Sequence, residues 1–373
     1  MTVVERLRLR DFRTYATAEV ALDERLTLVH GPNGAGKTNL LEALYFGCTG
    51  RSCRTTNERE VVRFDAPATR VEVGLRADDG PHALSVGFQP GEPKRLKADG
   101  APVDRLLDAP AQPLVAVFLP DRLELVKGAP AGRRGHLDAL VAGLWPARAA
   151  TRRTYAQALA QRNALLARLR AGTGGRDALG AWDLELARHA IALRDDRARA
   201  VALLRDRFAA TAGELGLAGG AELRYRPRSR AATPEELAAE LAERLPADLE
   251  RGFTGHGPHR DDLALLRDGR ELRAFGSQGE QRLALLALLL GEREALTAER
   301  GQPPLLLLDD VLSELDASRR GRLFDHLDRP GQALLTTTDL GYVPAERVAA
   351  ATVLRVTGDG AVLADHAPRP APA

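Results

Sequence analysis

Gly31-Pro32-Asn33-Gly34-Ala35-Gly36-Lys37-Thr38 decides the fold of this 373-residue chain. The stretch matches the phosphate-binding pattern G-x-x-x-x-G-K-[ST] at every position. Leu26-Thr27-Leu28-Val29 directly before it has the composition of a buried strand, and the apolar spacing from Asn39 to Phe46 predicts a helix directly after it. Such a loop requires the order strand, loop, helix, so the sequence predicts an α/β nucleotide-binding domain.

The glycine-rich loop supplies the chemistry of a phosphate site. Its glycines let backbone N–H groups turn toward phosphate oxygens, and the N-terminus of the following helix adds the positive end of its dipole. We expect Lys37 to neutralise the β- and γ-phosphates of ATP as a catalytic group, and the Thr38 hydroxyl to bind Mg²⁺. An ordinary glycine-rich turn is the alternative, but such a turn needs no strand and helix around it. Only four of the 53 basic residues are lysines, and Lys37 is one of them.

A second apolar run ends in two acidic residues, Leu305-Leu306-Leu307-Leu308-Asp309-Asp310. A phosphate loop needs a carboxylate at the end of a nearby strand to hold the metal ion. We expect Asp309 to bind Mg²⁺ directly or through water, and Asp310 to be the general base that polarises the attacking water. Alone, the pair would be ordinary turn residues after a core strand. The long separation of the two motifs excludes small GTPases and kinases, and it requires a large insertion between them.

Hydrophobic patterning divides the rest of the chain into strand-rich and helical parts. Between 133 and 250 the sequence is rich in Ala, Leu, Arg and Glu, with breaks near 172–175 and 216–220, which predicts several helices. The runs that predict strands are 3–9, 26–30, 71–75, 84–88, 305–308 and 333–337. A helix is expected at 316–327, between the last two of them, as in a parallel α/β sheet.

These patterns predict a division into two lobes. We expect an ATP-binding lobe formed by 1–125 and 300–366, and a helical lobe at 126–299 that carries a short helical arm. The Pro-Ala tail at 367–373 is expected to be disordered.

Composition excludes several classes of protein. The charged N-terminus lacks the apolar core of a secretory signal, and no apolar run reaches the roughly 18 residues that span a bilayer, so we expect a cytoplasmic protein without a membrane partner. Cys48 and Cys53 are too few for a disulfide framework and are expected to be reduced. The net charge is only +2, so any nucleic-acid binding requires a local basic patch.

A further turn resembles the signature motif of ABC ATPases. It reads Gly276-Ser277-Gln278-Gly279-Glu280-Gln281-Arg282 and precedes an apolar helical run. A turn of small residues that opens a helix presents N–H groups and a hydroxyl to an anion, although a plain helix cap is the alternative. Ser313-Glu314-Leu315-Asp316 resembles the D-loop of the same class, and Thr338 lies where transporter relatives carry a switch histidine.

Longer matches resemble the RecF family within this class. The stretch from Pro120 to Asp138, with its Arg133-Arg134 pair, and the stretch from Asp309 to Leu323 follow patterns of that family. His136 departs from the pattern because an aromatic residue is usual there, and Glu280 departs because glutamine is usual there. The resemblance runs from about residue 3 to 340. Shorter matches are Asp11-Phe12-Arg13-Thr14-Tyr15, Gln161-Arg162-Asn163 and Gly257-Pro258-His259-Arg260-Asp261-Asp262.

The resemblance implies a composite ATP site in an ABC-type ATPase head. Ser277 and Gly279 would bind the γ-phosphate of ATP held by a second copy, so that ATP drives a homodimer, and Arg13 would contact the nucleotide. The dimer would clamp duplex or gapped DNA, act with RecR and RecO, and help to load the RecA recombinase at single-strand gaps during repair and replication restart. ATP and Mg²⁺ would be the cofactors of a weak, DNA-stimulated ATPase. Candidate DNA contacts are Arg51, Arg54, Arg59 and Arg63, for each of which a solvated surface position is the alternative.

Three other ABC-related classes remain as alternatives. A transporter subunit would carry a glutamate after the second acidic motif and a histidine at the switch position, where this chain has Asp310 and Thr338. An SMC-like head would insert a far longer coiled coil, and a nuclease would need an added acidic metal cluster. His256, His259, Asp261 and Asp262 could also form a metal site, although Gly257 and Pro258 indicate a turn there.

Overall fold

A computed structural model of the chain describes residues 2–109, 111–173, 178–358 and 361–366. It divides into two compact units, Met1–Arg122 with Leu296–Ala373 and Leu123–Ala295. The sequence placed these boundaries at 125/126 and 299/300. The tail predicted to be disordered, 367–373, lies outside the described residues.

The secondary structure confirms the predicted strand runs and the predicted helix after Asp316. The strands are β1 (Val3–Phe12), β2 (Tyr15–Ala21), β3 (Leu26–His30), β4 (Thr69–Ala77), β5 (Gly80–Phe88), β6 (Arg95–Ala98), β7 (Ala101–Pro102), β8 (Val115–Phe118), β9 (Ala221–Arg226), β10 (Asp262–Arg267), β11 (Arg270–Glu271), β12 (Leu305–Leu308), β13 (Ala333–Thr337), β14 (Thr352–Val356) and β15 (Val362–His366). The helices are α1 (Lys37–Thr49), α2 (Glu124–Lys127), α3 (Pro130–Leu144), α4 (Thr151–Arg170), α5 (Leu179–Glu214), α6 (Pro234–Glu243), α7 (Leu245–Arg251), α8 (Leu272–Phe275), α9 (Gln278–Arg300), α10 (Ala317–Leu327) and α11 (Ala345–Ala350).

The first unit contains a mostly parallel sheet that positions the phosphate loop. Its strand order is β15-β14-β3-β13-β12-β8, with β15 antiparallel at one edge. The loop follows β3 and the acidic pair follows β12, while β13 lies between these two strands and runs parallel to both. Because the carboxyl ends of parallel strands meet at one edge of a sheet, the two motifs come together there.

A second sheet of the first unit is antiparallel, with the order β2-β1-β4-β5-β6-β7. In β1, Leu7 and Leu9 are buried whereas Arg8 and Arg10 are exposed, as expected for a sheet with one face on the core. The helix α1 packs against strands of both sheets, and its Leu40, Leu41 and Leu44 are completely buried. This packing fixes the helix whose N-terminus faces the phosphate loop.

The second unit is mainly helical, as predicted, but it also contains strands. The long helices α4 and α5 pack against each other, and the 36-residue α5 spans about 54 Å at 1.5 Å per residue. The sequence analysis missed β9, which lies inside the stretch predicted to be helical. Its alternating residues pair antiparallel with β10 over six positions, and this long-range pairing is not visible in local composition.

A buried arginine explains one of the short matches to the RecF pattern. Arg162 on α4 is completely buried, and its guanidinium donates to Asp183 on α5 at 2.6 Å and to Asp248 on α7 at 2.8 Å. The neighbouring Asn163 accepts hydrogen bonds from the backbone N–H and the hydroxyl of Thr254. These residues therefore hold three helices and a loop of the second unit together.

The paired arginines and closing aspartate of the stretch 120–138 also have structural contacts. Arg133 donates two hydrogen bonds to the Asp262 carboxylate, at 2.7 and 3.0 Å. Asp138 accepts two from Arg197 on α5, at 2.7 and 3.0 Å. His136, which departs from the family pattern, forms a 2.5 Å contact with Glu292. Largely buried ion pairs thus join α3 to α5 and β10, and the contact between His136 and Glu292 joins it to α9.

Among the helices that the structure describes, none combines the length and the apolar composition needed to cross a bilayer.

Candidate nucleotide-binding site

The phosphate loop has a backbone that requires glycine at two positions. Gly31 has a φ of 154° and Gly36 a φ of 112°, both in the region that side chains rarely adopt. A Cβ on Gly31 would lie 2.2 Å from the Val356 carbonyl oxygen, and one on Gly36 would lie 2.9 Å from the Tyr15 hydroxyl. Tyr15 in turn donates a hydrogen bond to the Gly36 carbonyl at 2.9 Å. The loop is thus held in one shape by its neighbours.

Lys37 lies against the loop that it follows. Its Nζ donates to the carbonyl oxygens of Gly31 at 2.8 Å and Pro32 at 2.9 Å, and the residue is 7% exposed. Burial lowers the pKa of Lys37, and the nearby carboxylates of Asp310 and Asp309 oppose that effect. A bound polyphosphate would add negative charge beside the ammonium group and would favour its protonated form.

Thr38 and Asp309 come together as the sequence predicted for a metal site. The Thr38 hydroxyl lies 2.8 and 3.0 Å from the two carboxylate oxygens of Asp309. Burial raises the pKa of Asp309, while hydrogen bonds from Thr336 and Thr38 counteract the rise. The carboxylate is therefore positioned and hydrogen-bonded before any metal ion binds.

Asp310 adopts a left-handed backbone conformation, with a φ of 45°. Asp is among the few side chains that tolerate this conformation. Its Oδ1 is buried and has no hydrogen-bond partner among the described residues, and burial raises the pKa of its carboxyl group. Asp310 also lines the open space over the phosphate loop, so its carboxyl group lies near the place where an attacking water would bind.

The residues present fit Mg²⁺ bound together with a nucleotide. Thr38 and Asp309 supply hard oxygen ligands. Water and phosphate oxygens complete the octahedral coordination of Mg²⁺ in such sites. No cluster of three or more His, Cys, Asp or Glu side chains placed to hold a metal ion occurs among the described residues. A site built on one carboxylate and one hydroxyl therefore depends on phosphate for further ligands, as expected for a nucleotide-dependent metal site.

A cavity of about 340 Å³ lies over the phosphate loop. Arg54 is part of its wall, and its guanidinium donates to Asn39 at 2.9 Å and to the buried carboxylate of Glu42 at 3.2 Å. Arg54 was predicted from the sequence as a candidate DNA contact and was not connected with this site. Glu42 lies one turn after Thr38 on α1, and its buried carboxylate needs a cation nearby. The lining residues are Asn33, Gly34, Gly36, Lys37, Thr38, Asn39, Arg54, Pro120, Asp309 and Asp310.

Arg13, expected to contact nucleotide, is engaged with the same glutamate. Its guanidinium donates two hydrogen bonds to the Glu42 carboxylate, at 2.8 and 2.9 Å, and it is not among the residues that line the cavity. A nucleotide contact by Arg13 stays a prediction. In this structure the residue neutralises Glu42 and anchors the turn after β1 to α1.

The signature turn lies in the second unit, where it opens α9. Ser277 and Gly279 are both exposed. The Ser277 hydroxyl accepts a hydrogen bond from the Glu280 backbone N–H at 3.3 Å, and the Gln281 side chain donates to the Gly276 carbonyl at 3.1 Å. The turn thus exposes Ser277 and Gly279 at the N-terminus of a helix, a position that favours contact with an anion.

The four side chains weighed as a metal site have separate partners in the second unit. His259 donates through Nε2 to the Thr254 carbonyl at 2.9 Å and lies 2.6 Å from the Tyr155 hydroxyl, and burial lowers its pKa to about 4. The other three contacts are His256 with Glu240, Asp261 with Tyr225, and Asp262 with Arg133. These pairings explain the cluster without a metal ion.

Comparison with known proteins decides the family. A family model described as an AAA domain matches residues 6–94. The chain is 42% identical to the DNA replication and repair protein RecF of Anaeromyxobacter sp. (strain Fw109-5), over 89% of this chain and 91% of that protein. It is 39% identical to RecF of Chloroflexus aggregans, over 97% and 99%. The chain belongs to the RecF family. This places it among the DNA replication and repair ATPases.

Solved structures of RecF have the same fold. The recombination mediator RecF with ATP, from the RecFOR pathway, superimposes with a TM-score of 0.88 at 28% identity, over 98% of each chain. An Smc head from Pyrococcus furiosus superimposes with a TM-score of 0.57 at 17% identity, over 97% of this chain and 95% of that one. The second match shows the shared ABC-type head fold alone. The relatives favour RecF over the transporter and SMC alternatives.

Thr336 on β13 is a residue that the sequence analysis missed. It is completely buried, its hydroxyl donates to Asp309 Oδ1 at 2.7 Å, and its oxygen accepts from the Asp310 backbone N–H at 3.0 Å. Its position on the strand between the two motifs brings one hydroxyl into contact with both acidic residues. Side chains that orient a metal-binding group influence metal affinity strongly.

We expect Thr336→Val to raise the Mg²⁺ concentration for half-maximal ATPase activity about tenfold, because the hydroxyl that orients Asp309 is lost. Thr336→Ser should restore the wild-type value. ATP hydrolysis measured against free Mg²⁺ tests this, with Thr352→Val, a buried threonine of the same sheet, as the control. An unchanged Mg²⁺ dependence in Thr336→Val would show that this contact does not position the metal site.

Proposed function

We propose that the chain is an ATP-dependent DNA-binding protein of recombinational repair, in which ATP joins two copies into a clamp on duplex or gapped DNA. The observation that carries the proposal is the assembled phosphate site: a fixed glycine loop, a buried Lys37, and the pair Thr38 and Asp309 in contact at 2.8 Å. Membership of the RecF family supports the DNA substrate.

The charges of the site are matched to Mg²⁺ and ATP together. Burial lowers the pKa of Lys37 and raises the pKa of Asp309 and Asp310, so it favours the neutral form of each group. Mg²⁺, when bound, supplies positive charge to the carboxylates and to the phosphates. Lys37 holds the β- and γ-phosphates by charge and hydrogen bonds, the loop N–H groups bind phosphate oxygens, and Thr38 and Asp309 hold the ion. Asp310 accepts the proton of the attacking water.

The second copy completes the site through its signature turn. Ser277 and Gly279 are exposed and open a 23-residue helix, so their N–H groups and hydroxyl can bind the γ-phosphate of ATP on the other copy. ATP can then act as a switch only if it binds the closed dimer more tightly than the open form. DNA binding is coupled to ATP binding only if DNA also prefers the closed dimer. Hydrolysis removes the γ-phosphate and reopens the dimer, so slow, DNA-stimulated turnover is sufficient.

The family also supports a proposal about partners. RecF in the RecFOR pathway is described as a recombination mediator. We propose that this chain acts with RecR and RecO at single-strand gaps, where it helps the RecA recombinase to load. With a net charge of only +2, contacts to DNA come from local Arg and Lys side chains on the phosphate backbone. Such contacts are independent of base sequence.

The test measures DNA binding and self-association in one sample. Duplex and gapped DNA are titrated with and without ATP and Mg²⁺, and dimer formation is followed by sedimentation velocity. We expect ATP to produce a dimer and to raise DNA affinity about tenfold or more, with an affinity that falls steeply as salt rises. DNA binding that ignores both ATP and salt would contradict the proposal.

A further inference from the structure

Glu280 closes a reciprocal hydrogen-bond pair at the signature turn. Its carboxylate accepts from the Ser277 backbone N–H at 2.8 Å, and its own N–H donates to the Ser277 hydroxyl at 3.3 Å. This is a capping box, in which the first and fourth residues satisfy each other's N–H groups. The N-terminus of α9 therefore already has an anion on it.

The anion is charged at neutral pH. The hydrogen bond from the Ser277 backbone lowers the pKa of Glu280, even though partial desolvation acts against it. Arg267 on β10 forms an ion pair with the same carboxylate, and both side chains are partly exposed. Glu280 is thus held between a helix N-terminus and one arginine.

We propose that Glu280 sets the ATP requirement for dimer closure, because its carboxylate occupies the Ser277 N–H that must bind the γ-phosphate carried by a second copy. The inference rests on the proposed function. In the single chain the carboxylate satisfies the turn. On closure it must give up the Ser277 N–H to the phosphate while staying within a few ångströms of like charge, and both effects oppose closure.

Arg267 has the opposite role. By pairing with Glu280 it offsets part of the negative charge, and it gives the displaced carboxylate a partner when the phosphate binds. The negative charge of Glu280 therefore opposes dimer closure, and Arg267 reduces this effect.

Replacing Glu280 with glutamine tests the effect of the charge without changing the shape of the turn. Glutamine also forms the capping box, so Glu280→Gln keeps the helix N-terminus and removes only the negative charge. A matched control is Glu243→Gln at the end of α6, which removes the same charge at an exposed position of the same unit. Equal folding of the three proteins is checked by their thermal transitions.

The experiment is an ATP titration in Mg²⁺ with dimer formation followed by sedimentation velocity. We expect Glu280→Gln to dimerise at an ATP concentration on the order of tenfold lower than wild type, with Glu243→Gln like wild type. Salt should reduce the difference, because the repulsion between exposed charges is screened. Arg267→Gln should require more ATP than wild type.

Two outcomes overturn the inference in distinguishable ways. A wild-type ATP-induced dimer together with an unchanged ATP requirement in Glu280→Gln shows that Glu280 does not oppose closure, and leaves the proposed dimer intact. Absence of an ATP-induced dimer in wild type and both variants overturns the proposed dimer itself and the role of Glu280 with it.

Discussion

Replacing Lys37 with Met is expected to weaken ATP binding by about a hundredfold or more and to abolish ATP-induced dimerisation. The ammonium group provides charge-assisted hydrogen bonds that neutral donors do not match, and the loss of one partner of a buried charged contact costs about 2–5 kcal/mol. Methionine is also unbranched and keeps most of the length of the lysine side chain, so the loop glycines and the Tyr15 contact should keep their geometry.

The measurement pairs affinity for a fluorescent ATP analogue with sedimentation in ATP and Mg²⁺. Lys97→Met is the control, because it makes the same change at an exposed position on β6 of the same unit, outside the cavity lining. Loss of binding in Lys37→Met alone assigns the effect to the phosphate loop. If Lys37→Met dimerises normally with ATP, the phosphate-site assignment is refuted.

The parts of the site that the sequence predicted are those carried by local pattern. The loop from Gly31 to Thr38 has a fixed spacing and is flanked by a strand and a helix of matching composition. Asp309 follows a run of four leucines, so its place at the end of a buried strand was evident. The carboxyl ends of parallel strands lie at one edge of a sheet, so these two local patterns were enough to predict that Thr38 and Asp309 lie close together. The structure shows them in contact.

The residues that were missed depend on strand order and on long-range contacts. Thr336 is unremarkable in sequence, and it contacts both acidic residues only because β13 lies between β3 and β12. Arg54 gave no local signal that distinguished it from the many other arginines, yet Glu42 draws it into the cavity wall. Sequence spacing does not report which strand lies next to which, so neither role could be deduced in advance.

The motif stretches of the second unit show the same limit. Sequence resemblance selected Arg162 and the Arg133-Arg134 pair but could not say whether they act on a ligand. In the structure, Arg162 contacts Asp183 and Asp248 inside the unit, and Arg133 contacts Asp262. Both guanidinium groups have structural roles here, because a buried guanidinium group needs carboxylates around it.

Asp310→Asn should leave ATP binding and ATP-induced dimerisation intact while slowing hydrolysis about 10²–10⁴-fold, the range in which positioned general bases contribute. Asparagine has nearly the same shape and tolerates the left-handed φ of 45° at this position, so the turn after β12 should be preserved. The amide group of asparagine cannot take a proton from water as a carboxylate can.

The pH dependence of turnover gives an independent test of the same role. A base acts when deprotonated, so wild-type hydrolysis should fall as pH drops through the pKa of Asp310, which burial raises above its ordinary value. Hydrolysis by Asp310→Asn should no longer fall in this way at low pH. Asp325→Asn, an exposed substitution on α10, should keep the wild-type hydrolysis rate and its fall at low pH. Single-turnover hydrolysis separates the chemical step from product release. Unchanged turnover in Asp310→Asn would remove the residue from the chemistry and leave the attacking water to be oriented by other groups of the composite site.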